Sequence, residues 1–268
     1  MDRHINREKN VHGKRWNSVH EGYFSDPAIA MPLIRKVRKF VRTSKPDTIV
    51  DLGGGTGFLL TRLRAAGVAP GITLVNLDAS PTQLDAARTS GFARFKGSVD
   101  SFSRRDIGSD VARYFYMMRS VLHYFGKDGL CPVLRHVRAQ TEPGEYFVHQ
   151  TASFSRRQDA DCLNELYAMM ETEKWYPTVA FLRKSLCAEG WNVLEVCRAA
   201  PLRLKSEDLM QRYHLDQKDI CRIRDRLLRK TGVPADVVTI TAGGFCAFLH
   251  YWTYVCTPAM PGTVCGAR

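Results

Sequence analysis

The chain has 268 residues, 44% of them hydrophobic and 25% charged, with 39 Lys and Arg against 27 Asp and Glu. Such a chain is long enough to bury a core, and its composition excludes a disordered polyelectrolyte, a collagen-like repeat and a membrane-spanning helix, since no apolar run approaches the roughly 20 residues a bilayer demands. The net charge of +12 is uneven: residues 1–45 hold eleven basic side chains against four acidic ones, residues 201–232 nine against five, and the stretch between is nearly neutral, so two basic segments either share an anionic partner or form solvated helix faces.

The first stretch, MDRHINREKNVHGKRW, is charged and has no apolar segment of the secretory type, so a cytoplasmic location is expected. PLIRKVRKFVRT predicts a helix. Pro32 suits its first position, Leu33, Ile34, Val37, Phe40 and Val41 form an apolar stripe, and Arg35, Arg38, Lys39 and Arg42 project the other way. Residues 1–45 therefore read as a helical extension capping a domain over 46–268.

From Pro46 onward strand and helix patterns alternate: TIVDLG then FLLTRLRAA, ITLVNLD then SPTQLDAARTS, FARFKGSV, VARYFYMM then KDGLCPVLRHVRAQ, and EYFVHQTASF. This rhythm predicts βαβ units, an α/β class and a parallel sheet with helices on both faces. After Phe154 the rhythm breaks. Residues 155–174 read as a polar helix, Thr178 as the N-cap and Gly190 as the stop of a helix through FLRKSLCAEGW, NVLEVCRAAPLRL as one strand and FCAFLHYWTYVC as one late buried strand. Between those strands lies a helical insert in which Ile220, Ile223, Leu227 and Leu228 are expected on one face and Arg222, Arg226 and Arg229 on another. The inserts near 155–176 and 205–244 are expected to cover a site.

Eight cysteines are scattered without a C-x-x-C pair. They read as reduced, buried thiols, the alternative being three that gather around a soft metalloid or thiol substrate.

Four glycines, Gly53, Gly54, Gly55 and Gly57, fall within five positions of VDLGGGTGFLL. Glycine loses more freedom on folding than any other residue, so the cluster marks a sharp turn or a close approach to a ligand. It lies between a strand and a helix, where ligands of open parallel sheets bind. Neither frame of G-x-G-x-x-G fits, and no Lys follows to make a P-loop. The remaining pattern, D-x-G-x-G-x-G, resembles motif I of class I S-adenosylmethionine-dependent methyltransferases, nearest to their small-molecule O-methyltransferase branch, and the resemblance runs along about residues 45–200.

The resemblance implies a Rossmann-like fold with a mostly parallel seven-stranded sheet flanked by helices, and S-adenosyl-L-methionine as cofactor. It puts Asp51 and the glycines at the methionine end, and Asp78 in LVNLDAS, with Ala79 beside it, at the ribose hydroxyls, which a carboxylate suits because it accepts two donors at once. Asp100 falls where the family's acid accepts from the adenine amino group, with Val99 giving backbone contacts. Arg119 ends the fourth strand beside the cofactor. His123 in SVLHY is the candidate general base, although Tyr124 and Phe125 stand where the branch usually has Asp-Trp. The implied reaction is in-line methyl displacement onto a small-molecule acceptor, with O ahead of S, N or C. No N-P-P-Y motif and no acidic pair for a catechol-type metal site is present, so no metal is expected.

Trp16, Tyr23, Phe24, Tyr167, Met169, Met170, Trp175 and Tyr176 supply surface for an apolar roof. With the basic flanks they suit an anionic or aromatic acceptor. No membrane partner is expected, and a homodimer is left open. An RNA methyltransferase is the alternative suggested by a pI of 9.5, opposed by the neutral middle section and the absence of an appended RNA module. A non-catalytic cofactor- or partner-binding protein on the same fold is the third reading.

Overall fold

The computed structural model describes residues 22–88, 91–230 and 232–260; the first half of the expected N-terminal extension, Trp16 included, lies outside the described residues. Helix α1 spans Pro27–Ser44 and begins five residues before the expected Pro32. Asp26 is its N-cap, its carboxylate accepting from the Ala28 N–H at 2.7 Å, and Pro27 takes the first position. The Asp-Pro pair is the stronger start signal. Pro32 sits inside the helix on its exposed side. The stripe Leu33, Ile34, Val37, Phe40 and Val41 is buried as expected.

Strand β1, Thr48–Leu52, is buried at every position. It is followed by α2 (Phe58–Ala65), β2 (Thr73–Asp78), α3 (Pro81–Ala86), β3 (Ala93–Lys96), α4 (Arg104–Ile107), β4 (Tyr114–Arg119), α5 (Gly126–Ala139) and β5 (Tyr146–Ala152). After α6 (Arg157–Met169) and α7 (Val179–Ala188), the chain adds β6 (Trp191–Arg198) and β7 (Leu202–Lys205), α8 (Ser206–Tyr213) and α9 (Gln217–Arg229), then β8 (Val238–Ile240), β9 (Phe245–Leu249) and β10 (Tyr251–Pro258).

The main sheet has seven strands in the order β3-β2-β1-β4-β5-β10-β6. β1 to β5 pair in parallel, and β10 runs antiparallel to both β5 and β6. Its central strands β1 and β4 are covered on both faces and buried at every position, whereas the edge strands β3 and β6 are largely half-buried or exposed. Successive residues of β4 divide between two cores: Phe115 and Met117 pack with α1 and α2, whereas Tyr114, Tyr116 and Met118 face the cluster holding Leu130, Leu134, Leu186 and Trp191 from α5, α7 and β6. A third core, with Leu163, Leu166, Tyr167, Leu209, Ile220 and Phe245, joins α6 to the inserted helices and to a three-stranded sheet in the order β7-β9-β8.

The two late strands expected as single runs are each divided. The first breaks at residues 199–201, where Pro201 has no N–H for a ladder, into β6 and β7. The second breaks at His250, so that β9 serves the small sheet and β10 the large one. Leu228 is 60% exposed, unlike the buried Ile220, Ile223 and Leu227; one residue past Leu227 is a 100° turn off the stripe. Cysteines 131, 162, 197, 221, 246 and 256 are free, whereas Cys187 is disulfide-bonded, which corrects the expectation of uniformly reduced thiols. No helix among the described residues is long and apolar enough to cross a membrane.

Candidate functional site

Strand β1 lies between β2 and β4, so successive connections leave it in opposite directions across the sheet. A crevice at the C-terminal ends of such strands is where ligands of this architecture bind. The glycine turn follows β1 at this point. Gly53, Gly55 and Gly57 have φ of +71°, +57° and +74°, which glycine alone adopts without strain. The N–H groups of Gly53 and Gly54 donate to the Leu77 carbonyl at 2.8 and 3.2 Å, stitching the turn to β2. Gly54 is required by space: a Cβ there would lie 2.3 Å from Asn76 Oδ1 and 2.7 Å from Asp51 Oδ2. A Cβ on Gly53 would meet Val121 Cγ2 at 2.7 Å, so the turn also touches the loop after β4.

Asp51 is 1% exposed, and neither carboxylate oxygen has a hydrogen-bond partner among the described residues. Burial first, and then the Asp78 charge, push its pKa up to about 8, against the opposing pull of the Arg119 guanidinium. Asn76, its register neighbour on β2, donates from Nδ2 to the Gly55 carbonyl at 2.9 Å, which leaves a buried Oδ1 without a donor beside Gly54. Gln83 Oε1 is likewise buried without a donor, 3.7 Å from where a Gly55 Cβ would stand. The turn is thus lined by acceptors that have no donor among the described residues.

Asp78, at the end of β2, is held in place by two backbone donors. The Gly55 N–H reaches its Oδ2 at 2.9 Å and the Ser80 N–H its Oδ1 at 2.8 Å, with the half-buried Ala79 between the aspartate and that second donor. Its carbonyl accepts from Gly97 at 3.2 Å, which ties the loop after β3 to the same edge. In that loop Val99 is buried in the core with Leu52 and Leu77, and Asp100 is half-buried in the turn closed by Phe102 N–H on the Ser98 carbonyl at 3.1 Å.

Arg119 is 8% exposed at the end of β4. Its guanidinium donates to the carbonyls of Tyr23 and Phe24 at 3.3 and 3.4 Å and stands 5.2 and 5.3 Å from their ring centroids. The segment before α1 is thereby drawn to the crevice. Burial pushes the Tyr23 phenol up to about 12. Gln150, opposite Arg119 in β5, buries an Oε1 without a donor.

Ser120 follows with φ of +60°; its N–H donates to the Gln150 carbonyl at 2.8 Å, and its hydroxyl lies 2.6 Å from the Tyr251 phenol. His123 sits in a 3₁₀ turn over Leu122–Phe125, two residues beyond the Val121 that touches the glycine turn. Its ring is 4% exposed, 4.1 Å from the Tyr124 centroid and stacked 5.3 Å from Tyr176. The backbone joins the two loops as well, Trp175 N–H donating to the His123 carbonyl at 3.2 Å. Next to Trp175, the buried Lys174 ammonium donates to the Tyr213 phenol at 2.7 Å and lies over the Tyr124 ring at 4.8 Å.

Asp51, the four glycines, Asp78, Ala79, Val99, Asp100 and Arg119 therefore gather along one edge of the sheet, with His123 on the adjoining loop. Asn76, Gln83, Gln150 and Lys174 are additions. A lone polar residue within an otherwise apolar strand, as in LVNLD, is the signal that marks Asn76. Tyr23, Tyr167, Met170 and Tyr176 of the expected roof are buried in the third core, with Phe24 and Met169 packed against it.

No family model and no curated protein matches the chain. Solved structures do. A proposed methyltransferase from Bacillus halodurans superposes with a TM-score of 0.65 at 14% identity, over 83% of this chain and 96% of that one. The 1,6-didemethyltoxoflavin-N1-methyltransferase of Burkholderia thailandensis, solved with its substrate and S-adenosylhomocysteine, gives 0.56 at 13% identity over 97% and 90%. Magnesium protoporphyrin IX methyltransferase from Synechocystis, solved with bound S-adenosylmethionine, gives 0.50 at 10% identity over 94% and 90%. With the strand order of its seven-stranded sheet, the antiparallel β10 within that sheet and its glycine turn at the β1 edge, the chain has the class I S-adenosylmethionine-dependent methyltransferase fold.

Proposed function

We propose that the protein is an S-adenosylmethionine-dependent methyltransferase acting on a small-molecule acceptor, with oxygen first among the acceptor atoms. The observation that carries this reading is the donor-free carboxyl of Asp51 beside the glycine turn. A buried acceptor without a donor costs about 1–3 kcal/mol, and the cofactor's ammonium group is a donor of the right charge. Asn76 Oδ1 and Gln83 Oε1 add further acceptors along the same wall. Asp78 is aimed by two backbone N–H groups, and a carboxylate, which accepts several donors at once, suits the ribose diol. Val99 and Asp100 line the adenine end.

The bound cofactor supplies the methyl group on a positively charged sulfur; the protein's task is to align an acceptor with it and exclude water. Arg119 holds Tyr23 and Phe24 over the crevice, closing it from the side of α1. His123, walled by Tyr124 and Tyr176, takes the acceptor's proton during attack. The segment holding Tyr23 and Phe24 and the inserts near 155–176 and 205–244 form the acceptor side, where aromatic rings and the Lys174 ammonium suit an anionic or aromatic acceptor.

Isothermal titration with S-adenosylhomocysteine tests the reading. Wild type is expected to bind at micromolar concentrations, and Asp78→Ala to bind more weakly by about 1.5–3 kcal/mol, the worth of a charge-assisted hydrogen bond. Absence of binding to the wild-type protein would refute the assignment.

A further inference from the structure

A second concavity lies at the other end of β1. It has a volume of about 400 Å³ and is walled by Arg38, Val41, Arg42 and Lys45 from the end of α1, and by Val68 and Ile72 from the segment leading into β2. Val41 is buried and Val68 and Ile72 are half-buried, giving an apolar floor; Arg42 and Lys45 are exposed at the rim and Arg38 is half-buried.

The charges on α1 divide by partner. Lys36 and Lys39 both pair with Glu195 of β6, at 2.5 and 2.7 Å. Among the described residues, no carboxylate pairs with Arg38, Arg42 or Lys45. Three like charges around one hollow repel one another. Interaction with the helix C-terminus favours a cation in the last turn, a role Arg42 alone fills, while the Lys45 N–H already serves the Val41 carbonyl at 2.9 Å. Helix capping therefore leaves two of the three cations unexplained. The volume falls within the roughly 300–1,000 Å³ of small-molecule sites, which combine an apolar lining with a few convergent polar groups.

We propose that this hollow binds an anionic small molecule with an apolar body, its carboxylate or phosphate held by Arg38, Arg42 and Lys45 and its body resting on Val41, Val68 and Ile72. The site is separate from the crevice at the glycine turn. The two lie toward opposite ends of α1, whose 18 residues, about 27 Å long, run from beside the Tyr23 and Phe24 held by Arg119 to the basic rim.

Calorimetric titration of the full chain with octyl phosphate, octanoate, 1-octanol and inorganic phosphate, each below its micelle threshold, tests this. One of the two charged amphiphiles is expected to bind at least about tenfold more tightly than both octanol and inorganic phosphate, and the tighter one identifies the headgroup. The triple variant Arg38→Gln, Arg42→Gln, Lys45→Gln should lose about tenfold or more of that affinity while keeping the wild-type thermal midpoint and S-adenosylhomocysteine binding. Undiminished binding by the variant, octanol or inorganic phosphate matching the amphiphiles, or no binding of either amphiphile would each overturn the proposal.

Discussion

Asp51 and Asn76, opposite each other in β1 and β2, turn a carboxyl and an amide oxygen toward the same point beside Gly54, with no donor between them. Two acceptors so placed require a proton on the acid or a cation from outside. The raised pKa of Asp51, about 8, expresses the first solution; a bound ammonium group would supply the second.

Proton linkage follows with a definite sign. The native acid holds its proton to about pH 8, whereas an unfolded aspartate loses it near pH 3.9. The native state therefore binds more protons in between, and stability declines as pH rises from about 4 to about 8. Asp51→Asn should remove that decline, leaving the ligand-free variant more stable at pH 7 by up to roughly 4 kcal/mol. The variant should also bind S-adenosylhomocysteine more weakly. Wild-type affinity should increase toward pH 8 as the acid becomes easier to ionise. Urea denaturation from pH 4 to 8 checks the first half; equal slopes for both proteins would contradict it.

Gly54→Ala places a methyl group 2.3 Å from the side-chain oxygen of Asn76, whose amide is anchored on the Gly55 carbonyl, and 2.7 Å from the buried Asp51 carboxylate. The expected cost is about 1–3 kcal/mol of stability, together with loss of S-adenosylhomocysteine binding. Thermal unfolding and calorimetry on the same sample measure both, and wild-type values in either would show that the turn has room.

Remote from the crevice, Glu145 accepts from Arg104 at 2.8 and 3.1 Å and from the backbone of Tyr114 and Glu142 at 2.7 and 2.8 Å, all but sealed from water. Glu145→Ala strands a buried guanidinium and should destabilise by about 3–5 kcal/mol. The double variant Arg104→Met, Glu145→Leu should recover much of that loss. A double variant as unstable as the single one would mean that the backbone bonds, not the ion pair, dominate.

His149 is fully buried, stacked on Tyr254 at 4.8 Å, with Nδ1 2.7 Å from the Thr151 hydroxyl. Burial lowers its pKa to about 3. The unfolded chain takes up that proton near pH 6.5 and the native one does not, so this contribution is complete above pH 6.5 and is lost as pH falls below it. The loss approaches about 1.4 kcal/mol per pH unit. His149→Gln should flatten stability between pH 6 and 4 in the same denaturation series.

The crevice was legible in the sequence because its chemistry is local. A glycine-rich turn after an apolar strand needs only neighbouring residues to be recognised, and Asp78 lies at a strand end marked by its own apolar run. The roles of Asn76 and Gln150 are not local, because they depend on partners across the sheet, Asp51 for one and Arg119 for the other. The same applies to the late strands: 245–256 is apolar but for His250 and Thr253, yet it divides at His250 between two sheets whose existence no local pattern encodes. Arg119 was placed at the strand end correctly, whereas its grip on Tyr23 and Phe24 joins residues 95 or more apart in the chain.

The chain leaves the large sheet after β6 and returns to it at β10, and the two joins are themselves bonded, Ala199 N–H donating to the Tyr251 carbonyl at 2.8 Å. Along the chain, everything from residue 202 to 249 is thus joined to the large sheet through this doubled stalk, while its buried face is shared with α6. Such an attachment allows the appended module to vary in sequence and length between its two joins while the glycine turn, at the β1 end of the large sheet, stays untouched.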